Sequence, residues 1–443
     1  MEKEGDLSFS SLLRKKQSDS QAFVVEEETH TVNASLESLL NASRDALSPF
    51  RLSRNVVFYT FNSKEIAIPF SDFLVITSIT GQNVLIIGST GSGKTTVARA
   101  YGRGVFGSDA YIQISPETDL SKMVNVDFNK MKNGDLAAAQ EPTDLVNAPY
   151  VTIDELNRVN PKHLTILQEY LNNGVINLEG GKKVHVGKPI KGGRYQQKIA
   201  CINVGDRYAG TSPIDAAILD RFSITVDLDN YPPTSSDLVS MLNSEVVFRA
   251  DNVRKKNLTH HVIRIHEFIK HIPLNDMTAN YLITLSHLSY CHRSPTGLKS
   301  DINNFAKSTV CRACPAAENH GNLCGSTQGV SNRSLIALVG LARAFAFYRH
   351  YLYKDTPLEV EIEDLMAAAE FVINPRSIID EDWVATEGRG SYTEAQRRLL
   401  NYLRNDLSEM GSSQLSTNGM PSTNAESEAS KEELLMRYPY SPI

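Results

Sequence analysis

The sequence predicts a doubly wound α/β domain followed by an all-helical one. A glycine-rich loop, Gly88-Ser89-Thr90-Gly91-Ser92-Gly93-Lys94-Thr95, directly follows the apolar run Asn83 to Ile87. An acidic pair, Asp154-Glu155, ends a second apolar run, Tyr150 to Ile153. β-rich and helical runs alternate as far as Tyr231-Pro232-Pro233, and beyond it only helical periodicity continues. Strands separated by helices require right-handed crossovers, hence a parallel sheet with helices on both faces.

The elements follow in order. With 443 residues, 41% of them hydrophobic, the chain exceeds one ordinary domain,. Residues 1–54 are polar, with a Glu26-Glu27-Glu28 run and short apolar patches such as Leu36 to Leu40, and read as a mobile arm with room for one helix,. Residues 55–232 form the α/β domain. It has β-rich runs at 56–61 and 66–70, then the strand into the loop, a helix over 95–106 and strands at 111–115 and 150–154. A helix over 161–171, a strand at 198–203, a helix over 213–222 and a strand at 224–228 complete it,. Residues 233–380 carry helical patterns at 237–243, 261–272, 278–290, 333–353 and 361–373,. Residues 381–443 read as a C-terminal helix and a disordered tail rich in Ser, Asn, Thr and Glu,. Its last apolar residues, Leu434 to Tyr440, are either a docking segment or plain tail.

A net charge of −6 gives no global argument for nucleic acid or an anionic membrane,. The N-terminus has no apolar signal core, and no stretch approaches the ~20 apolar residues that span a bilayer, so the expectation is a cytoplasmic protein without membrane contact,.

The chemistry lies in the loop. Glycines at 88, 91 and 93 let the backbone lie against phosphates, where successive N–H groups and a helix N-terminus favour anions. Lys94 supplies a point charge to the β/γ-phosphates, and the Thr95 hydroxyl is an oxygen ligand for Mg²⁺. Gly88 to Thr95, with Thr96 following, are thus expected to bind ATP with magnesium,. Asp154 at the strand end would hold Mg²⁺, and Glu155 would polarise the attacking water.

Three phrases carry a resemblance: Asp154-Glu155-Leu156-Asn157-Arg158, the stretch Gly210-Thr211-Ser212-Pro213 to Leu219-Asp220-Arg221-Phe222, and Ser331-Asn332-Arg333-Ser334 opening a helix. Over residues 75–376 the chain resembles the MoxR-type AAA+ ATPases of the helix-2-insert group, together with cobaltochelatase small subunits and rubisco-activase-like ATPases. The resemblance implies an AAA+ core with a helical lid. It makes Asn203 the sensor that orients water against the γ-phosphate, Arg221 an arginine finger lent to a neighbouring subunit, and Arg333 the second sensor, on the lid. Such a finger is worth roughly 10³ to 10⁵ in rate. Arg158 and Arg207 are alternatives for the trans-acting role. The bland readings are a surface salt bridge from Arg221 to Asp220 or Asp215, and a solvated helix-start cation for Arg333.

Two features depart from that pattern. Asn203-Val204-Gly205-Asp206-Arg207 has the N-x-x-D-R spacing of GTP-using McrB-like subunits, although no N-K-x-D guanine-reading element is present and ATP stays favoured. Cys291, Cys311, Cys314 and Cys324 are spaced C-x19-C-x2-C-x9-C, which suits Zn²⁺, an iron–sulfur cluster or unrelated thiols,. Cys201, in a core strand, reads as a small buried hydrophobe. The segment from Gly180 to Lys198 is basic with no acid and, by the resemblance, forms a hairpin facing a ring pore. There it would grip an acidic peptide or a nucleic-acid backbone, or simply be a solvated hairpin,.

The leading expectation is a ring-forming ATPase, a hexamer, that remodels or activates a protein partner such as one with a von Willebrand A domain. The alternatives are a McrB-like NTPase subunit of a nucleic-acid machine and a slow nucleotide-gated scaffold.

Overall fold

The computed structural model describes residues 22–50, 54–118, 124–126, 140–172, 174–177, 183–203, 216–243, 249–289, 331–373, 375–376, 381–391, 394–398 and 400–401. Arg207 and the cysteines Cys291, Cys311, Cys314 and Cys324 lie outside these residues, as does the tail from 402 onwards.

Of the arm expected over 1–54, residues 1–21 lie outside the described residues, and from Ala22 it is a docked helix. Helix α1 (Ala22–Leu47) lays a buried stripe of Val32, Leu36, Leu39, Leu40 and Leu47 on the body, the i, i+4, i+7 spacing of a core-facing helix. A Cβ at Gly104 would collide with that of Ala46, so a glycine in the facing helix sets how closely α1 can sit. Arg44 of α1 donates to the buried Asp72 carboxylate, which also accepts from Tyr348 OH at 2.8 Å.

Strands β1 (Asn55–Phe61) and β2 (Lys64–Pro69) form an antiparallel hairpin. Helix α2 (Phe70–Thr80) follows, a helix the sequence reading does not contain. Its residues are buried all round, from Phe73 and Leu74 to Ile79, so they carry no 3.6-residue polar alternation, and a short apolar run of this kind cannot be told from a strand by periodicity.

Five strands build one parallel sheet: β3 (Val84–Ile87), β4 (Tyr111–Gln113), β5 (Tyr150–Asp154), β6 (Gln197–Ile202) and β7 (Ile224–Asp227). Their spatial order is β7-β3-β6-β5-β4. Alternate strand residues serve two cores. Val84, Ile86, Ile199, Cys201, Ile224 and Val226 pack with α2 and with α3 (Lys94–Phe106), whereas Leu85, Val151, Ile153, Ala200 and Ile202 pack with α4 (Leu164–Asn172) and with Phe222. The predicted helix over 161–171 splits into a short turn, Pro161–His163, capped by the Asn160 side chain, and α4. Of the helix predicted over 213–222, residues 216–222 are described, and only Ala216–Leu219 is helical.

Beyond residue 233 the described helices are α5 (Ser235–Leu242), α6 (Thr259–Ile269), α7 (Asp276–Ser289), α8 (Asn332–Leu352), α9 (Ile362–Val372) and α10 (Glu381–Thr386). Each of the five helices predicted over 233–380 is present within a few residues of its expected place. Among the described residues they share a core with the rest of the chain. Phe345, Phe347, Leu365 and Phe371 join the cluster that contains α1, α2 and one face of the sheet. Arg349 and Asp364, both fully buried, pair through two hydrogen bonds of 3.1 and 2.9 Å, and Tyr59 OH of β1 donates to the same carboxylate at 2.7 Å. A buried pair of this kind requires every lone pair to be used, and here the hairpin supplies the missing donor.

Candidate nucleotide site

The loop after β3 turns through left-handed backbone at Gly91 (φ 84°) and Gly93 (φ 81°), where a side chain would strain the chain,. Gly93 ends the loop and α3 begins at Lys94. The Lys94 side chain is buried, and its ammonium donates to the carbonyls of Gly88 at 2.8 Å and Ser89 at 2.7 Å and to Ser92 Oγ at 3.2 Å. The cation thus lies inside the glycine loop.

The second half of the site comes from β5. Thr95 Oγ1 donates to Asp154 Oδ1 at 2.8 Å, which brings together two residues 59 positions apart in the chain. Tyr111 OH donates to Asp154 Oδ2 at 3.3 Å, and burial, reinforced by that carboxylate, pushes the phenol up to about 12. Glu155 leaves the strand in left-handed backbone (φ 55°), a strained conformation for a non-glycine residue and frequent at functional sites. Its carboxylate accepts from Gln113 Nε2 at 3.0 Å and pairs with Arg158 at 3.3 Å. Arg158 is therefore engaged with Glu155.

Strand register places the next candidate. Ile202 of β6 pairs with Ile87 of β3, and Cys201 with Asp154 of β5, so Asn203 emerges between the glycine loop and the acidic pair. Its carbonyl accepts from Asn157 Nδ2 at 3.1 Å. Cys201 is fully buried, and burial raises its thiol, as expected of a small hydrophobe. The hard oxygens of Thr95 and Asp154 are the donor set Mg²⁺ takes. Among the described residues no group of three or more His, Cys, Asp or Glu could hold a metal, and no helix is long and apolar enough to cross a membrane.

The family model described as "AAA domain (dynein-related subfamily)" matches residues 83–222, from the foot of β3 to the turn before β7. Over these residues the fold is that of an AAA domain. A crystal structure from Cytophaga hutchinsonii ATCC 33406, described as a "putative ATPase", matches with a TM-score of 0.59 at 17% identity, covering 88% of this chain and 98% of that one. At that identity the likeness shows the fold alone, over the α/β body and the helical region together. No curated protein matches the chain.

Both candidate arginines lie away from the chain's own phosphate loop. Arg221 precedes β7 at the foot of the sheet, where its carbonyl accepts from Asn83 Nδ2 at 3.1 Å. The glycine loop leaves the opposite end of β3, roughly 15 Å along the strand direction. Arg333, expected near the phosphates as a lid sensor, is also at the foot: it is ion-paired with Asp220, to which Ser331 Oγ donates at 2.9 Å. The reason is packing. Helix α8 lies against α2, and Gln82, just before β3, donates to Ala337 O of α8 at 2.9 Å.

Residues absent from the sequence reading complete the AAA site. Tyr111 and Gln113 reach the acidic pair from β4, and Asp229 grips Ser89. The Ser89 hydroxyl and amide hold the Asp229 carboxyl below the usual carboxylate range, with Lys94 adding to the effect. No local pattern marks them; their roles come from strand order and from a turn beyond β7.

Proposed function

We propose that the chain is a ring-forming MoxR-like AAA+ ATPase, assembling as a hexamer, that couples ATP hydrolysis to remodelling or activating a protein partner. The observation that carries the ATPase reading is the 2.8 Å bond from Thr95 to Asp154 with Glu155 next in the chain. It joins the loop that would hold phosphate to the carboxylates that would hold metal and water.

In this reading Lys94 leaves the loop carbonyls for the phosphate oxygens. Mg²⁺, when bound with the triphosphate, neutralises charge on those oxygens. Asn203 orients a water, and Glu155 accepts its proton as oxygen bonds to the γ-phosphorus and ADP leaves with the bridging electron pair. Arg221 and Arg333 sit too far from the chain's own loop to assist there, which supports their serving an adjoining copy. The exposed Lys183, Lys188 and Lys191 of the hairpin region suit an acidic peptide segment of the partner,. Zinc at Cys291, Cys311, Cys314 and Cys324 rests on spacing alone, and metal analysis of the purified chain tests it.

The deciding experiment measures ATP turnover and assembly. Glu155→Gln should keep nucleotide binding and lower turnover at least about 100-fold. Mixing Lys94→Ala with Arg221→Ala chains should restore part of the turnover that each lacks alone. A monomer with ATP, or no restoration, overturns the ring.

A further inference from the structure

The strap between β7 and the first lid helix carries a carboxylate that holds the glycine loop. Asp229 lies in the turn Leu228–Asn230, itself fixed by Asp227 Oδ1, which accepts from the Asp229 N–H at 3.0 Å. Asp229 Oδ1 accepts from the Ser89 N–H at 2.9 Å, and Oδ2 from the Ser89 hydroxyl at 2.7 Å. A Cβ on Gly88 would stand only 3.3 Å from Asp229 Oδ1, so glycine at 88 permits the approach. The carbonyls of Gly88 and Ser89 are the same two that hold the Lys94 ammonium. Two residues beyond Asp229, Tyr231-Pro232-Pro233 lead into α5.

We propose that Asp229 is a positioning residue for nucleotide binding, which deepens the ATPase reading and rests on it. The carboxylate anchors the Gly88–Ser89 arm of the loop to the hinge of the helical region, and through those carbonyls it sets where Lys94 waits. Two effects of opposite sign meet here. The negative charge repels phosphate, while its two bonds hold the loop in its binding shape. Asp229 is solvent-exposed, so its field is screened,. Solvent screens the direct 2.9 and 2.7 Å bonds to Ser89 less than the longer-range repulsion of phosphate,, and a hydrogen bond to a charged group is worth about tenfold. Positioning therefore outweighs repulsion.

The test uses the full chain with fluorescent ATP and ADP, together with steady-state hydrolysis and thermal unfolding. Asp229→Ala should weaken both nucleotides about tenfold and raise KM in proportion, with kcat within about twofold and Tm unchanged because the residue is exposed. Asp229→Asn, which keeps the acceptor for the Ser89 N–H, should recover part of the affinity. The effects of Ser89→Ala and Asp229→Ala should add less than fully, since both remove the Ser89 hydroxyl bond to Asp229 Oδ2,. Tighter binding by either Asp229 variant, a loss confined to kcat, or full additivity overturns the proposal. Unaltered binding by Asp229→Ala overturns it while leaving the ATPase reading intact; a wild-type chain that binds neither nucleotide overturns both.

Discussion

Asp220 and Arg333 form an ion pair across 113 residues of chain, and Ser331 donates to the same carboxylate. The first turn of α8 is thereby fastened one residue before Arg221. The segment around Arg221 is held from a second side, where the Arg376 guanidinium donates to the carbonyls of Leu219 and Phe222. The segment that carries Arg221 thus sits in the joint between the sheet and the helical region.

That position separates binding from turnover. Arg221→Ala and Arg333→Ala should leave ATP affinity of the dilute chain within about twofold, because both lie at the foot of the sheet. Turnover of the assembled protein should fall by at least about 100-fold for Arg221→Ala. Equilibrium binding alongside a concentration series of ATPase rates checks this. A large loss of affinity in the monomer would place the arginines in the chain's own site.

Asp154→Asn keeps the size of the side chain but weakens its hold on a hard cation. The Mg²⁺ concentration needed for half-maximal turnover should rise about 10- to 100-fold. A magnesium titration at saturating ATP measures it. A shift of that size with unaltered Tm assigns Asp154 to the metal, whereas a matching fall in Tm would make its bond to Thr95 mainly structural.

Lys198 predicts a pH dependence of stability. It is buried in β6 with its ammonium 4.7 Å from the centre of the Tyr170 ring, and burial lowers its pKa to about 7. The unfolded chain titrates this group near 10.4. Between those values the unfolded state binds a proton that the folded state does not. Stability therefore rises with pH from about 7 to about 10, at up to about 1.4 kcal/mol per unit. Lys198→Met should flatten this rise in denaturation curves taken across that range; an unchanged slope would mean that the ammonium stays charged when folded.

The Arg349–Asp364 pair bears on folding rather than on catalysis. Asp364→Ala leaves a fully buried guanidinium without its counter-ion and should destabilise the chain by about 3–5 kcal/mol,. Arg349→Met should cost less than Arg349→Ala, because it refills the volume over the Phe61 ring. Chemical denaturation of the variants measures both.

What the sequence alone determined is local. Gly91, Gly93, Lys94 and Thr95 are neighbours in the chain, and their backbone demands are met within one turn, so the phosphate loop can be read directly. Asp154-Glu155 is legible for the same reason, as a polar pair ending a buried strand. The alternation of strand and helix gives the parallel sheet. The helices beyond residue 233 follow from their period. Tertiary structure decided the rest, because it rests on contacts between distant segments. Helix α1 is docked, not mobile, since its stripe finds a seat that Gly104 opens far along the chain. Helix α2 has no period to read because every side is buried. Asp229 reaches Ser89 across 140 residues, and Asp220 takes Arg333 to the far end of the sheet from the phosphate loop. Only strand order and helix packing bring such pairs within hydrogen-bond range, and neither leaves a spacing that a linear pattern could contain.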